Sequence, residues 1–508
     1  DPTSSLTTSC KEKVSLLVDK KYIDYCFSQH LVDNIPLPPK FYGLPKIHKE
    51  NLPLRPVVSF TKSPLYAISQ FMACILQKMK NDSFNTRSAC KVVCDLQSFS
   101  LHPDDMFVSF DAISMYTCIS ISLALSIIQK RWNDIQPHCA LDEQTFLDIL
   151  SFCLKNNYYN KFYSQTTGLA MGSPLSAIVA DLVMDDLFNS IINKYDHNIR
   201  FVRKYVDDSF FIIKECIFDP LFDDLNSFDP LLNFTFEKSA DSLNFLDVSI
   251  IRSDNDSIIF RHYKKPTYTG RIIHHLSHQP FSVKLDTAIN IKNIRLALSS
   301  PIFHRYILHE LIGLLRDNGY PNSFISSVCE SPFPHHPLDD SNTTKIRTKF
   351  FSIPFTGQSS HIIKRILEQI NDDILVTFRN INTFGNSLFS KIKDVTPFEE
   401  RTDLVYSIPC SGCDHVYIGE TLQHLEKRIK RHNYDERKLN DETALAVHSR
   451  TTGHRFNFKD TKILLHENNT KKRRIREAIE ILKSKSVNFK CDTSNLRSTY
   501  ESILNHTL

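Results

Sequence analysis

The chain has 508 residues, a hydrophobic share of 41% and a formal net charge of +4. That length exceeds what one core serves and predicts roughly two to four domains of about 100–200 residues each. The hydrophobic share excludes a disordered chain, and no apolar run reaches the roughly 18 residues that a membrane helix needs.

The charge is uneven. From Arg401 to Leu508 there are 20 Lys and Arg against 14 Asp and Glu, while the rest carries 41 against 43. A basic tail behind a near-neutral body points to a polyanionic partner. The opening DPTSSLTTSC lacks a basic stretch followed by an apolar one, so no signal peptide is expected; it also lacks a Met, as a fragment would. Thirteen scattered Cys are odd in number and unlike a secreted disulfide framework. A reducing cytosolic or nuclear compartment suits them.

Residues 1–40 read as an N-terminal extension: amphipathic KVSLLVDKKYIDYCFSQHLV, then Pro-rich IPLPPK, where the chain turns because Pro cannot continue a helix. Residues 41–60, FYGLPKIHKENLPLRPVVSF, mix basic residues with Pro and end in a strand-like VVSF. Residues 64–98 read as helical. In MFVSFDAISMYT, residues 106–117, a short apolar strand runs straight into Asp111. Residues 119–133 and 142–155 read as helices. In GLAMGSPLSAIVADLVMDDLFNSIINKY, residues 168–195, a Gly-Ser-Pro turn opens a long helix with Ile178, Leu182, Leu187 and Ile191 at helical spacing. RFVRKYVDDSFFIIK, residues 200–214, reads as strand, acidic turn, strand, with Asp207 and Asp208 at the tip. LNFTFEK and LNFLDVSII add strands. Residues 261–330 are basic and partly helical. Residues 331–400 read as a Pro-, Ser- and Thr-rich linker with a helical segment, and 401–508 as a compact α+β unit.

Phosphoryl transfer is served by two divalent metals about 4 Å apart, and Mg²⁺ prefers carboxylate oxygens. Asp111 at a strand end and Asp207 and Asp208 on a hairpin tip supply three. An acidic pair in a turn is most often merely solvated, so the surrounding motifs carry the weight. Tyr205-Val206-Asp207-Asp208 resembles the YxDD box of reverse transcriptases, and FDAISMYT their first carboxylate motif. MGSPLS resembles their Gly-Ser-Pro motif, LPLRPVVS their finger motif and NFLD their primer-grip strand, in the family's order.

The resemblance implies that Asp111 and Asp207 bind two Mg²⁺, with Asp208 setting charge and position. It implies that Arg55, with Lys46 or Lys49, meets the incoming triphosphate, and that Tyr116 is the steric gate that selects deoxynucleotides. Gly172, Ser173 and Pro174 would cradle template and incoming base, and Lys238 would protonate pyrophosphate. Residues 261–330, with basic and aromatic RHYKKPTYTG and RIIHHLSHQPFSVK, would form a thumb that grips a nucleic-acid backbone.

From Asp403 the chain reads DLVYSIPCSGCDHVYIGETLQHLEKRIKRH. VYIGET followed by Leu425 and Arg428 resembles the GIY-YIG nuclease family. Tyr417-Ile418-Gly419 is intact, while Leu404-Val405-Tyr406 stands where Gly-Ile-Tyr would be. This resemblance implies Tyr406 and Tyr417 near an attacking water, Arg428 on the phosphate, His432 nearby and Glu477 holding one Mg²⁺. Glu480 is a rival that spacing does not separate, and Asn488 matches a later family Asn. Cys410-x₂-Cys413 with His448-x₅-His454 offers four ligands suited to tetrahedral zinc; the alternative is a small-thiol turn.

A reverse transcriptase followed by a GIY-YIG domain with inserted Cys and His resembles Penelope-like retroelement proteins, over about residues 40–505. The implied fold is α+β multidomain: a right-hand polymerase with fingers and palm over 41–260, thumb over 261–330, then the small α/β nuclease over 401–508. The implied reaction nicks target DNA and extends the exposed DNA primer with dNTPs on an RNA template, without a membrane. It would run in the nucleus after synthesis and RNA binding in the cytoplasm. Two alternatives stay open. One is a domesticated or telomerase-like polymerase whose tail only binds nucleic acid; the other is a viral-type RNA-dependent RNA polymerase.

Overall fold

A computed structural model describes residues 2–33, 35–47, 51–79, 84–159, 163–333, 349–370, 373–380, 393, 395–438 and 442–493. The chain divides into two compact units, Asp1–Asp33 with Leu37–Ile392, and Asn34–Pro36 with Lys393–Leu508.

The first unit opens with a helix, Thr3–Asp19, whose Cys10, Val14 and Leu17 are buried in the main apolar core. Their spacing puts all three on one helix face. These residues are therefore part of the core, where the sequence reads an extension. Strands β1 (Lys40–Pro45) and β2 (Leu54–Ser59) pair antiparallel. Strand β3 (Asp105–Ala112) follows, then a short hairpin of β4 (Tyr158–Tyr159) and β5 (Tyr163–Ser164). Next come the long helix Pro174–Tyr195 and strands β6 (Ile199–Tyr205), β7 (Asp208–Lys214) and β8 (Phe234–Ser239).

The central sheet has the order β6-β7-β3-β8, all antiparallel. Both of its faces are covered. Val108, Phe110, Phe211 and Ile213 join the main core with Leu182 and Phe188 of the long helix. Phe107, Phe210 and Ile212 point the other way, into a second core with Phe245, Val248 and Ile250. Alternate side chains leave opposite faces of a strand, so two covered faces produce the unbroken apolar runs MFVSF and SFFII. Antiparallel sheets more often leave one face to water.

Strands β9 (Ser242–Phe245), β10 (Val248–Arg252) and β11 (Ile258–His262) form a smaller sheet in the order β11-β10-β9. Helices Phe281–Ala297, His304–Asp317 and Asn322–Glu330 share their own core around Leu311, Leu315, Tyr320, Phe324 and Val328. Beyond them, β12 (Lys349–Pro354) pairs in parallel with β13 (Ile374–Arg379), and the helix Gln358–Ile370 crosses between them. The sequence reads this stretch as linker plus helix. The six-residue runs KFFSIP and ILVTFR show no clean alternation, and parallel pairing depends on a crossover that local pattern does not reveal.

In the second unit, β14 (Leu404–Pro409), β15 (Val416–Thr421) and β16 (Lys462–His466) form an antiparallel sheet in the order β15-β14-β16. Helices Leu425–Lys438, Ala444–Thr452 and Thr470–Lys483 accompany it. Among the described residues, no helix is long and apolar enough to cross a membrane.

Candidate functional site

Tyr205, the last residue of β6, pairs with Asp208, the first of β7, so Val206 and Asp207 form a two-residue turn. Val206 has a φ of 58°. A positive first turn angle suits a type II′ hairpin, where Gly is usual, and a β-branched residue there is strained. Such strain is typical of functional sites. On its other side β7 pairs with β3, and Asp208 stands directly opposite Asp111. Opposed Cβ atoms lie about 4.5–5.5 Å apart. Burial, then the charges of Asp207 and Asp111, push the Asp208 carboxyl up to about 6, with Lys265 opposing. The sheet therefore gathers three carboxylates from two distant segments. Their mutual repulsion is what a divalent cation relieves, so the set fits Mg²⁺.

Tyr116 belongs to the same neighbourhood. Burial raises its hydroxyl pKa, Asp207 and Asp181 add to the rise, and Arg55 opposes it. The backbone locks this region together. The Leu169 N–H donates to the Tyr116 carbonyl at 2.6 Å, and the Val58 N–H to the Met171 carbonyl at 2.8 Å. Two glycines permit such close approach. A Cβ on Gly168 (φ +74°) would meet the Thr117 carbonyl at 2.5 Å, and one on Gly172 (φ +116°) the Val58 carbonyl at 2.1 Å. Ser173 caps the long helix, its Oγ accepting from the Leu175 N–H at 3.4 Å, and Pro174 fills the first helical position.

Arg55 is exposed on β2 opposite Leu44. Lys46 follows β1, its backbone N–H donating to the Pro53 carbonyl. Lys49 lies outside the described residues. Lys238 is not brought to the carboxylates. It pairs with Val108, whereas Thr235 pairs with Asp111; three residues along a strand, a side chain points to the opposite face. Its ammonium instead sits 3.8 Å from the centroid of the Phe218 ring, a cation–π contact.

One group escaped the sequence reading. Lys204, just before the acidic turn, is 0% exposed. Its Nζ lies 2.6 Å from Asp181 and 2.8 Å from Asp185 of the long helix. Asp185 is also fully buried and accepts from the Asn85 amide at 3.1 Å. The available signal was Asp181 and Asp185, one turn apart on a mostly apolar helix.

The second unit holds another convergent cluster. The fully buried Tyr406 has its hydroxyl 2.7 Å from His432 Nε2 and accepts from Arg428 Nε at 3.3 Å. The Tyr417 ring meets the His432 ring edge-on at 4.9 Å. Gly419 pairs with Tyr406, and a Cβ there would meet the Tyr406 hydroxyl at 2.6 Å. Burial raises the Tyr406 hydroxyl, Tyr417 and Glu477 add to the rise, and Arg428 opposes it. Burial pushes Tyr417 up to about 12. Burial with Arg428 and Arg431 pushes His432 down to about 3, so it is neutral at pH 7. Burial and Glu420 push Glu477 up to about 7. Of the two candidate glutamates, Glu477 carries the charge that acts on both tyrosines. Buried Arg473 braces the region, bonding Glu420 at 2.7 Å and Asp403 at 3.3 Å. Asn488 has a different task. Its Oδ1 accepts from the Ile418 N–H at 2.9 Å and its Nδ2 donates to the Ile418 carbonyl at 2.8 Å. It straps β15 in place.

Cys410, Cys413, His448 and His454 converge, their ligand atoms all within 4.8 Å of one another. The two sulfurs lie 3.4 and 3.6 Å from His448 Nε2, and His454 Nδ1 is buried without a hydrogen-bond partner. Two thiols and two imidazoles at these separations fit a tetrahedral zinc.

No family model and no curated protein matches this chain. Solved polymerase structures bear a distant likeness to it. Telomerase from Candida albicans in complex with the TWJ fragment of telomeric RNA is 13% identical, over 64% of this chain and 60% of that one, with a TM-score of 0.41. Apo telomerase from Candida tropicalis is 10% identical over 62% of each chain, with a TM-score of 0.36. The BmCPV RNA-dependent RNA polymerase at elongation state is 11% identical, over 59% of this chain and 28% of that one, with a TM-score of 0.38. The chain thus spans less than two thirds of each, and likeness at this level assigns no activity.

Proposed function

We propose that the first unit is a reverse-transcriptase-like polymerase and the second a metal-dependent DNA endonuclease. The observation that carries the first reading is Asp111 opposite Asp208 with Asp207 at the adjoining hairpin tip. Asp111 and Asp207 would hold two Mg²⁺, with Asp208 beside them. When bound, the ions activate a primer 3′-hydroxyl and neutralise the leaving pyrophosphate. Arg55 would fork onto triphosphate oxygens, Tyr116 would exclude a 2′-hydroxyl, and Gly172 would let the backbone approach the template and incoming base. The three-helix segment from Phe281 to Glu330 would act as the thumb. Primer extension on an RNA template with dNTPs and Mg²⁺ tests this. Extension by the wild type and its loss in Asp111→Asn are expected; a silent wild type, or an Asp111→Asn chain that extends equally well, defeats it.

For the second unit, a neutral His432 and Arg428 on one Tyr406 oxygen are suited to hold and move a proton there. Arg428 would also steady a phosphate, Tyr417 would line the site, Glu477 would hold one Mg²⁺, and the Cys410, Cys413, His448 and His454 set would hold a structural zinc. Nicking and primed synthesis in one chain suit target-primed reverse transcription by a Penelope-like retroelement protein. It would act in the nucleus on an RNA template, a DNA primer and target DNA. The complete burial of Tyr406 favours the rival, a telomerase-like polymerase whose second unit only binds nucleic acid. Metal-dependent nicking of plasmid DNA by wild type and Glu477→Ala separates them, since equal outcomes indicate a binding module.

A further inference from the structure

A cavity of about 320 Å³ lies in the first unit among the segment after the first helix, the helix Tyr66–Leu76 and the loop before the helix Glu143–Lys155. Ligand pockets run from about 300 to 1,000 Å³, so this one suits a small molecule. Its walls are mostly apolar. Ile75 and Leu141 belong to the main core, and Ile23, Phe71 and Cys139 pack against that core. Tyr22 also lines the space, with its hydroxyl committed to Asp142 at 2.6 Å. Charge stands at the rim. Lys78, in the turn Gln77–Met79 that follows the helix, lines the cavity and is exposed. Its charge is felt by the Cys139 thiol, so ammonium and thiol share the space. Among the described residues Lys78 makes no ion pair, and no carboxylate lines the cavity. The next acid along the chain, Asp142, is already engaged by Tyr22, by Lys20 at 3.2 Å and by Thr145 at 2.7 Å. Apolar walls that end in an uncompensated cation are complementary to an amphiphile with one negative end. The walls contribute by burial and the ammonium by a charge-assisted hydrogen bond.

We propose that this cavity binds a small alkyl carboxylate, its chain among Ile23, Phe71, Ile75 and Leu141 and its carboxylate at Lys78. None of these residues belongs to the acidic cluster, so the inference does not depend on the polymerase reading. A ligand there ties Ile23 to the helix Tyr66–Leu76. Ile68 and Met72 of that helix share the main core with Leu182 and Phe188 of the long helix. Occupancy therefore stabilises the first unit by mass action.

The full-length protein is titrated calorimetrically with hexanoate, octanoate and octanol. Octanoate should bind saturably and about fifteenfold more tightly than hexanoate, or about fourfold for each buried methylene. Octanol, which lacks the charge, should bind about tenfold more weakly than octanoate. Saturating octanoate should raise the melting temperature of the wild type. Cys74 lines the cavity from its exposed side. Cys74→Phe should fill the space and abolish binding, while Cys74→Ser should bind as the wild type does. Ala140→Phe, entering from the loop, repeats the blockage at a second position, and melting without ligand checks that each variant folds. Lys78→Met should bind octanoate no better than octanol, and Lys78→Arg should keep the preference for the acid. Absence of saturable octanoate binding by the wild type, equal affinity for hexanoate and octanoate, or binding that survives both Cys74→Phe and Ala140→Phe overturns the pocket. An undiminished preference for the acid in Lys78→Met overturns the contact with Lys78, and with it the class of ligand.

Discussion

Asp111 and Asp208 stand directly opposite one another across the β3–β7 pair, an arrangement in which like charges destabilise a sheet. The Asp208 carboxyl is pushed up to about 6 by burial and by Asp207 and Asp111. A carboxyl whose folded pKa is raised favours folding below its unfolded value near 4 and loses that contribution as pH rises through 6. Asp208→Asn should therefore melt higher than wild type at pH 8 without divalent metal, by a few degrees for about 1 kcal/mol, and equally at pH 4. It should also lose primer extension. Calorimetry at the two pH values checks the sign, and a wild type that is the more stable at pH 8 sinks the argument.

The carboxylates were legible because short apolar runs bracket them: MFVSF before Asp111 and SFFII after the tip. Their register was not, since both sheet faces are buried and the usual alternation is absent. Lys204 escaped for the opposite reason, a lysine in a strand being normally turned to water. Lys238 was placed by resemblance alone, without the strand pairing that puts it beside Val108. The Cys and His of the second unit were legible as chemistry, although their convergence required the fold. Parallel strands β12 and β13 and the core role of the first helix left only weak local traces.

Buried Lys204 is held between Asp181 and Asp185. Removing one partner of a buried pair leaves uncompensated charge and costs about 3–5 kcal/mol. Lys204→Met should unfold at correspondingly lower urea. Adding Asp181→Asn and Asp185→Asn should restore part of the loss, because the stranded carboxylates are then neutral. If the triple variant is no more stable than the single one, the charge account fails.

Tyr116 shares its surroundings with Asp207 and Arg55. If its ring excludes a 2′-hydroxyl, Tyr116→Ala should incorporate ribonucleotides on an RNA template while Tyr116→Phe keeps the deoxynucleotide preference. The ratio of rGTP to dGTP incorporation measures this, and an unchanged ratio in Tyr116→Ala removes the gate.

The four-ligand cluster of the second unit predicts about one zinc per chain, with tetrahedral coordination. Cys410→Ser with Cys413→Ser should abolish that zinc, and a chelator should lower the melting temperature of the second unit, since structural zinc contributes folding free energy. Elemental analysis of the purified protein decides; wild type without bound zinc, after refolding with zinc supplied, rules it out.

His262 lines a cavity of the first unit with Arg295 and Lys264, it feels the charge of Glu310, and its Nδ1 is buried without a partner. Burial, then the charges of Arg295 and Lys264, push its pKa down to about 4 against the opposing pull of Glu310. The native imidazole therefore stays neutral where the unfolded one, near 6.5, takes up a proton. Between those values the unfolded state binds more protons, so stability falls as pH drops from 6.5 to 4. The contribution at stake is up to roughly 3 kcal/mol. His262→Gln should flatten that part of the pH profile and leave stability above pH 7.5 less affected. Arg295→Met should narrow the window by letting the His262 pKa rise, and so should reduce the acid loss without touching the imidazole. Urea unfolding at pH 7 and pH 4.5 on the three proteins checks both. An acid loss of the same size in all three would mean that other groups, and not His262 under the influence of Arg295, set the acid limit of the first unit.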